Sequence, residues 1–427
     1  MKVTSIRVGV LGYGNVGKAL VDLIAEQREA ILARTGLDLT VDAIAVRNPE
    51  KYINSDIQPQ IITDNAHEVV NSDNIDVVVE VIGGIDPSKN LVLTALNSGK
   101  PVVTANKELL AKYGPELFEC ADEQGLDLLF EAAVAGGVPL MRVLRESLKG
   151  EPIRRVMGIV NGTTNYVLSK MTETGMSYMD ALSEAQEKGF AESDPRADVE
   201  GQDAASKAAI IAMVAFGVQL RLDDVAYEGI TEVTEADILF AKRFEHTIKL
   251  LAIAEQCQSE IGVRVHPVML PNHHPLASVR DSFNAVFVEG EAVGDLMLYG
   301  RGAGGEPTAS AILGDLIDAA NNLTQNTKNG LGNLHTAAFQ PSDELESAYY
   351  INLEVADEPG VLASVASVFG EHGVSIRSME QEGLGEEARI VFITHSSKER
   401  NVHSTLDELS ELSCVVEIGT KIRVMGS

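Results

Sequence analysis

Apolar residues in the first third of the chain form short runs separated by segments with helical spacing. Apolar runs of strand length lie at residues 6–11, 41–46, 75–81, 101–104 and 126–131. Strands that alternate with helices predict a mostly parallel, doubly wound α/β sheet. We expect this first domain to span residues 1–138.

After residue 138 the pattern changes to that of an α+β domain, which we expect to span residues 139–320. Its predicted elements are strands at 153–160, 261–269 and 285–291, a polar turn at 161–165, and helices at 178–187, 204–216, 244–257 and 309–320. The last of these helices is expected to return to the first domain. The segment 321–348, much of it Asn, Thr, Gly and Ser, is predicted to be a linker.

The C-terminal segment, residues 349–427, predicts a third domain with the order βαββαβ. Its elements are strands at 350–355, 374–378, 388–395 and 415–424, and helices at 361–372 and 402–412. This order is typical of a ferredoxin-like fold.

Composition and charge argue against several classes of partner. The 427 residues include 34 basic and 63 acidic side chains, a formal net charge of −29. A field of that sign repels nucleic acid and anionic membrane surfaces. The three cysteines form no CxxC pattern, which argues against a disulfide framework and a zinc ribbon. No signal-peptide pattern is evident, and the longest apolar run is too short to span a bilayer. We therefore expect a cytoplasmic protein with neither a nucleic-acid nor a membrane partner.

A glycine-rich turn lies between the first strand and the first helix pattern. It consists of Gly12, Tyr13, Gly14, Asn15, Val16 and Gly17. Glycines at this spacing allow a tight turn, close approach of a pyrophosphate and close packing of helix on sheet, with the helix N-terminus facing the anion. The turn predicts a Rossmann-type dinucleotide-binding domain; the alternative is a tight strand–helix turn without a ligand.

The end of the second strand bears on the choice of dinucleotide. The acid that binds the ribose 2′-hydroxyl of NAD is absent there, and Arg47 follows the strand instead. An arginine at this point accommodates a 2′-phosphate, so NADP is favoured over NAD. The alternative is an arginine that only faces solvent.

Three further loops carry candidate chemistry. Lys107 ends the segment Thr104–Lys107 just after a strand, where it can contact both nicotinamide and substrate; the alternative is a surface helix start. Glu131–Val138 contains a glycine pair that lets carbonyl groups converge with Glu131 on a hard cation, unless it is only a glycine-rich crossover. Gly300–Thr308 suits the approach of an anion or cofactor to the start of a helix.

The stretch from Glu192 to Lys207 places acids and a lysine around Pro195 and a glycine, just before an apolar helix pattern. Asp203 and Lys207 stand four residues apart, on one face if residue 202 onward is helical. This spacing indicates a carboxylate-lined pocket with an ammonium group directed into it. The alternative is a capped helix start with an exposed ion pair.

These motifs resemble those of the homoserine dehydrogenase family over essentially the whole chain. The most specific match is a set of residues at the family's spacing: Ala185, Gly189, Phe190, Asp194, Pro195, Asp198, Gly201, Asp203 and Lys207. The segments TANK at 104–107, NGTTNY at 161–166 and GRGAGGEPTA at 300–309 agree with it. The C-terminal domain resembles an ACT domain through DEPGVL at 357–362 and HGVSI at 372–376.

The resemblance implies an oxidoreductase that interconverts L-homoserine and L-aspartate 4-semialdehyde with NADP or NAD, in the biosynthesis of threonine, methionine and isoleucine. It implies that Lys207 supplies a proton to the developing alkoxide, and that Lys107 assists at the substrate and contacts the cofactor. Glu192 and Asp203 are implied to hold the substrate ammonium and hydroxyl. Asp198 is either a further polar partner or a loop cap.

The same resemblance implies further ligand sites. Gly302 and Gly304 are cofactor contacts. A sodium ion is implied at Glu131 with the backbone carbonyls of Val134, Gly136 and Val138. The ACT domain implies threonine as an effector, or a module that serves only assembly, in a homodimer or homotetramer.

Two other functions compete with this interpretation. A catalytically inactive amino-acid sensor of the same fold should have lost Lys207 or the Gly12–Gly17 turn, and both are present. A phosphorylating semialdehyde dehydrogenase needs a nucleophilic cysteine near a histidine. Cys120 and Cys257 lie in helical apolar patterns, which favours a place in the core.

Overall fold

The computed structural model describes residues 3–52, 61–258, 260–383 and 387–426. The strands of these residues are β1 (Thr4–Leu11), β2 (Leu37–Ala45), β3 (Ile62–Thr63), β4 (Val77–Glu80), β5 (Val102–Thr104), β6 (Leu128–Leu129), β7 (Ile153–Ile159), β8 (Ala226–Tyr227), β9 (His246–Cys257), β10 (Glu260–Pro271), β11 (Phe283–Gly290), β12 (Asp295–Arg301), β13 (Ala338–Phe339), β14 (Glu346–Ala356), β15 (Ile376–Gly383), β16 (Glu387–Thr394), β17 (Ser397–Lys398) and β18 (Val415–Val424). The helices are α1 (Asn15–Thr35), α2 (Ala66–Asn71), α3 (Ser88–Asn97), α4 (Lys107–Gln124), α5 (Leu140–Arg142), α6 (Gly162–Thr174), α7 (Tyr178–Glu187), α8 (Arg196–Val199), α9 (Gln202–Phe216), α10 (Glu235–Arg243), α11 (Gly305–Gln325), α12 (Val361–Glu371) and α13 (Glu399–Glu411).

The chain packs into two compact units, each built from three separate segments. The first unit comprises Met1–Val156, Ser206–Val225 and Asn284–Ala337. The second comprises Met157–Ala205, Ala226–Phe283 and Ala338–Ser427. No helix among the described residues has the length and apolar character needed to cross a membrane.

The first unit is built on a parallel sheet with the strand order β3-β2-β1-β4-β5-β6. The order reverses direction at β1, as in dinucleotide-binding folds, and confirms the predicted doubly wound sheet. Helix α11 belongs to the same core. Ala309, Ile312 and Leu316 recur at helical spacing on its buried face and pack with the apolar side chains of β1 and β4.

The second unit contains a mixed sheet in which neighbouring strands follow the order β9-β10-β18-β14-β16-β15. The last four strands, with α12 and α13, form the predicted βαββαβ fold around a core that includes Phe369 and Phe392. Strand β10 pairs in parallel with β18, Val268 opposite Arg423. The C-terminal fold therefore shares one hydrogen-bonded sheet with the preceding part of this unit.

Two predicted elements are wrong. The helix expected at residues 244–257 is the strand β9, which forms an antiparallel hairpin with β10. Its residues from Ile248 to Ala254 are all buried, and a run of this length that is apolar except for Lys249 fits a strand covered on both faces as well as a buried helix. The polar turn expected at 161–165 is mostly helix, because Asn161 accepts a hydrogen bond from Thr164 N and so caps α6.

Candidate active site

The first unit contains a cavity of about 300 Å³ at the carboxyl ends of β1, β4, β5 and β6. Ligands of open α/β sheets bind at this edge. The predicted site residues that line the cavity are Val16, Lys107, Gly136, Lys207 and Gly302. The structure thus brings the two candidate lysines into one cavity although they lie far apart in sequence. Gly304 and Arg47 do not line it, and Arg47 is exposed beyond the end of β2.

The glycine-rich turn after β1 leaves no room for side chains at two positions. A Cβ on Gly17 would lie 2.3 Å from the carbonyl oxygen of Gly12, and one on Gly12 would lie 2.8 Å from that of Val81. Gly12 also has a φ of +106°, which favours glycine. A Cβ on Gly14 would meet nothing within 4 Å, so this face of the turn is open. The close helix packing and open face fit a bound dinucleotide pyrophosphate.

A second pair of glycines closes the opposite wall of the cavity. A Cβ on Gly136 would lie 2.3 Å from the carbonyl oxygen of Gly302, so the loop after β6 and the loop before α11 touch through their main chains. A Cβ on Gly305 would lie 3.2 Å from the carbonyl oxygen of Asn15. The N-termini of α1 and α11 are therefore adjacent, and both direct the positive ends of their helix dipoles to one region.

A buried carboxylate orders the loops that carry part of the lining. Glu80, at the end of β4, accepts hydrogen bonds from Ile82 N (2.9 Å) and Gly83 N (3.1 Å) through one oxygen. Its other oxygen accepts from Thr104 Oγ1 (2.6 Å) on β5. Glu80 thereby ties the loop after β4 to the strand that precedes Lys107.

The two lysines differ in their surroundings. Lys107 is half-buried at the first position of α4, a helix capped by Asn106, whose Oδ1 accepts from Leu109 N (3.1 Å). Lys207 is 9% exposed and lies in α9, which begins at Gln202 as the sequence predicts. Water screens the ammonium of Lys207 poorly because it is buried, so its interaction with a developing negative charge is strong.

In the segment predicted to hold a cation, the carboxylates accept hydrogen bonds from main-chain N–H groups. The Glu131 carboxylate accepts from Met141 N and Arg142 N, both at 2.8 Å, and so caps the short α5. Behind it, Asp315 accepts from Glu131 N at 2.7 Å. Burial raises the pKa of Glu131, and it raises the pKa of Asp315 to about 7. Ala135 and Gly136 both have positive φ.

No cluster of three or more His, Cys, Asp or Glu side chains that could hold a metal occurs among the described residues. A cation at this segment would depend on main-chain carbonyl groups, which are suitable ligands for a hard ion.

The second unit contains a compact cluster of predicted acids around Asn161. The amide nitrogen of Asn161 donates to Asp198 Oδ1 (2.7 Å) and to Asp203 Oδ2 (2.8 Å). Thr163 Oγ1 donates to the carbonyl oxygen of Phe190 at 2.6 Å and lies 3.3 Å from Asp198 Oδ2. The structure thus brings together Asp198 and Asp203, which the sequence selected. Asn161 and Thr163, which contact them, were not among the predicted site residues.

The exposed acids of the same stretch are arranged differently. The side chain of Glu192 is exposed, while its main-chain carbonyl accepts from Gln186 Nε2 (3.0 Å). Asp194 pairs with Arg196 at 2.8 Å, and this hydrogen bond lowers the pKa of Asp194 to about 2. Both partners of that pair are well exposed. The alternative interpretation of this stretch, a capped helix start with an exposed ion pair, therefore describes Asp194 and Arg196 but not the buried Asp203.

Comparisons with known proteins agree with this geometry. A family model described as "Homoserine dehydrogenase" matches residues 139–317, one described as "Homoserine dehydrogenase, NAD binding domain" matches residues 12–131, and one described as "ACT domain" matches residues 349–414. The chain is 45% identical to the homoserine dehydrogenase of Corynebacterium glutamicum over 99% of its own length and 96% of that protein. It is 41% identical to that of Bacillus subtilis over 99% of both chains.

The chain belongs to the homoserine dehydrogenase family.

Solved structures of this family have the same fold. The crystal structure of a homoserine dehydrogenase from Thiobacillus denitrificans matches with a TM-score of 0.94 at 38% identity, over 99% of both chains. A hyperthermophilic archaeal homoserine dehydrogenase in complex with NADPH matches with a TM-score of 0.63 at 30% identity, over 74% of this chain and 98% of that one. The chain is an oxidoreductase with homoserine dehydrogenase activity, and it carries an NAD-binding domain and a C-terminal ACT domain.

Proposed function

We propose that the cavity of the first unit is the site of hydride transfer between a nicotinamide cofactor and the pair L-homoserine and L-aspartate 4-semialdehyde. The observation that carries the proposal is the presence of Lys107 and Lys207 in one cavity beside a glycine-rich turn. The bound nicotinamide supplies the hydride in the reducing direction and accepts it in the oxidising direction. The protein supplies charge, a proton and orientation.

Lys207 is proposed to be the proton donor. When the aldehyde is reduced, negative charge develops on its oxygen, and a buried ammonium group stabilises that charge and then transfers a proton to it. In the reverse direction the neutral amine accepts the hydroxyl proton. Lys107, at the more exposed edge of the cavity, is proposed to orient the substrate and to contact the cofactor.

The acids of the second unit are proposed to bind the ammonium group of the substrate. Asp198 and Asp203 lie together around Asn161, which joins them through its amide and adds no positive charge. The exposed Glu192 is proposed to assist. Binding of a cation by paired carboxylates is strong where water is excluded.

NADP is proposed as the preferred cofactor. No acid stands at the end of β2, which closes with Ile44-Ala45, and the exposed Arg47 is free of the core to reach a 2′-phosphate. The turn residues Gly12, Tyr13, Gly14, Asn15, Val16 and Gly17, with Gly302 and Gly304, are proposed to hold the dinucleotide. Gly14→Ala tests this: the added methyl meets open space in the protein, so weaker NADP binding with unchanged thermal stability would mean that the cofactor lies against it.

A sodium ion is proposed at Glu131 and the main-chain carbonyls of Val134, Gly136 and Val138. The turn through the two residues with positive φ supports a convergence of carbonyl groups there. Activity and thermal stability measured in sodium chloride and in choline chloride at equal ionic strength test the site. Identical values in both salts would remove sodium from the proposal.

Threonine is proposed as an effector that binds the ACT domain. A route to the acid cluster exists within the second unit: Arg423 of β18 forms hydrogen bonds with Glu228 (3.0 and 2.9 Å), and Ile230 N, two residues on, donates to the carbonyl oxygen of Val199 (2.8 Å), beside Asp198. Threonine titration of the activity tests the effector role. A flat curve would leave the domain with a purely structural role.

The remaining expectations stay predictions: the division into domains at 1–138, 139–320 and 349–427, a cytoplasmic location, and a homodimer or homotetramer. Light scattering of the purified chain tests the last of these.

The decisive experiment is an assay of reduced-nicotinamide absorbance with homoserine and NADP or NAD. Lys207→Met should lower kcat by about 1000-fold or more while NADP still binds. Lys207→Arg keeps the charge but holds its proton too tightly, so it separates electrostatic stabilisation from proton transfer. The matched control for Lys107→Met is Lys112→Met, which removes an exposed lysine from the same helix, α4. Wild-type turnover in Lys207→Met would remove Lys207 from the mechanism.

A further inference from the structure

Asn161 is buried, with 4% of its surface exposed, and lies between two acids from a distant part of the sequence. The geometry points to Asn161 as a positioning residue that holds Asp198 and Asp203 in the arrangement that receives the substrate ammonium group. The inference rests on the proposed role of these two acids, and it adds the group that sets their separation.

The orientation of the Asn161 amide follows from its neighbours. Its Oδ1 accepts from Thr164 N (2.9 Å) and from Thr164 Oγ1 (3.0 Å). A backbone N–H can only donate, so the oxygen of the amide must face Thr164 and the nitrogen must face the acids. Both amide protons are then used, one for each carboxylate.

The neutrality of Asn161 is what suits it to a cation-binding cluster. Two carboxylates brought this close repel each other, and the 6% exposure of Asp203 gives little screening by water. A lysine or arginine in place of Asn161 would relieve the repulsion but would also neutralise the cluster and compete with the substrate ammonium. An amide orders both carboxylates with its two protons and adds no positive charge of its own.

The start of α6 also anchors the segment that leads to Glu192, the third acid predicted to bind the substrate. Thr163 Oγ1 donates to the carbonyl oxygen of Phe190, two residues before Glu192. The start of α6 therefore gathers both segments that carry candidate substrate ligands. Asn161 holds side chains of one segment, and Thr163 holds the main chain of the other.

Asn161→Asp is the sharpest variant, because aspartate keeps the shape of asparagine and caps a helix equally well. It exchanges the two donated protons for a third carboxylate without removing the cap on Thr164 N. Asn161→Ser serves as a second variant that keeps a capping oxygen and adds no charge. The matched control is Asn322→Asp: Asn322 Nδ2 donates to the buried Asp127 (2.7 Å), so the same exchange beside another acid occurs away from the proposed site.

We expect Asn161→Asp to raise the KM for homoserine by about tenfold or more, with a smaller effect on kcat and no change in the Kd of NADP. Asn161→Ser should raise the same KM by about threefold or more. Asn322→Asp should lower the melting temperature without changing the KM. A lower melting temperature with unchanged KM in both Asn161 variants would reduce Asn161 to a structural role and overturn the inference.

Two further measurements separate this inference from the function on which it rests. Asp203→Asn alone tests the acid cluster. If the KM for homoserine does not rise, the proposed binding of the substrate ammonium group by these acids fails, independently of the role of Asn161. The double variant Asn161→Asp/Asp203→Asn restores one amide–carboxylate pair with the original total charge. A KM lower than that of Asn161→Asp alone supports positioning through Asp203, whereas strictly additive effects contradict it.

Discussion

The cavity of the first unit and the acid cluster of the second unit are organised by different means. Main-chain atoms in close contact shape the cavity: a Cβ at Gly12, Gly17 or Gly136 would run into a carbonyl group. Side-chain hydrogen bonds that radiate from Asn161 shape the acid cluster. A site of the first kind fails when bulk is added, and a site of the second kind fails when a donated proton is removed. The difference suits the proposed ligands, since main-chain N–H groups bind a pyrophosphate and carboxylates bind an ammonium group.

Among the variants that test this difference, the largest effect is expected from added bulk at the glycine-rich turn. In Gly17→Ala the new methyl would lie 2.3 Å from the Gly12 carbonyl oxygen, so the main chain of the turn must move. We expect the affinity for NADP to fall by roughly 100-fold, about 3 kcal/mol, with a lower melting temperature. Titration of NADP followed by fluorescence measures it. Gly150→Ala, where a Cβ meets nothing within 4 Å, is the control and should behave as the wild type. Normal affinity in Gly17→Ala would show that close packing is not what shapes the turn.

A buried carboxyl group, that of Asp315, supports the segment next to the cavity lining, because it accepts a hydrogen bond from Glu131 N. Burial raises the pKa of Asp315 from an ordinary value of 3.8 to about 7. The folded state therefore binds this proton more tightly than the unfolded state, so the contribution of Asp315 to stability is complete below about pH 4 and is lost as the pH rises to about 7.

In Asp315→Asn this dependence should disappear. We expect the free energy of unfolding of the wild type to fall by roughly 2–3 kcal/mol relative to the variant between pH 5 and pH 8. Urea denaturation at both pH values measures the difference. Parallel pH profiles for the two proteins would contradict the shifted pKa of Asp315.

Loss of the hydrogen bond that Thr163 donates should disturb the acid cluster, although the substitution changes the side chain only slightly. Thr163→Val keeps the shape of the side chain but leaves the Phe190 carbonyl without its 2.6 Å hydrogen bond. We expect a loss of about 1–2 kcal/mol in stability and a rise of a few fold in the KM for homoserine. Thr172→Val is matched to it, because Thr172 Oγ1 donates at 2.7 Å to the Leu168 carbonyl within the same helix. Equal KM values for the two variants would mean that the Phe190 segment needs no anchor.

The smallest effect is expected at the exposed ion pair in the same acidic stretch. Arg196 and Asp194 are 74% and 59% exposed, and exposed pairs contribute little because water and salt screen them. Arg196→Gln should change the KM for homoserine by less than about twofold. Steady-state kinetics at low and physiological ionic strength check this. A large change would mean that substrate binding depends on exposed charges as well as on Asp198 and Asp203.

Local patterns in the sequence predicted most of the first unit and the C-terminal fold. Strand β1, the glycine-rich turn and α1 follow one another within a few residues, so their order and chemistry are readable directly. Strand β9 was missed because a buried apolar run fits a helix or a strand, and only its pairing with β10 decides between them. Helix α10 was missed although Thr234 and Asp237 form a capping box that marks its start.

The sequence by itself selected Lys107, Lys207 and Asp203 from their positions at a strand end and a helix start, which are local properties, and Asp198 through the family resemblance. Only the tertiary structure decided that Asn161 joins the two acids, since hydrogen bonds between residues about forty positions apart depend on the packing of α6, α8 and α9. It also decided that Asp194 is exposed while Asp203 is buried. Burial and separation set the strength of a charge interaction, and neither follows from spacing along the chain.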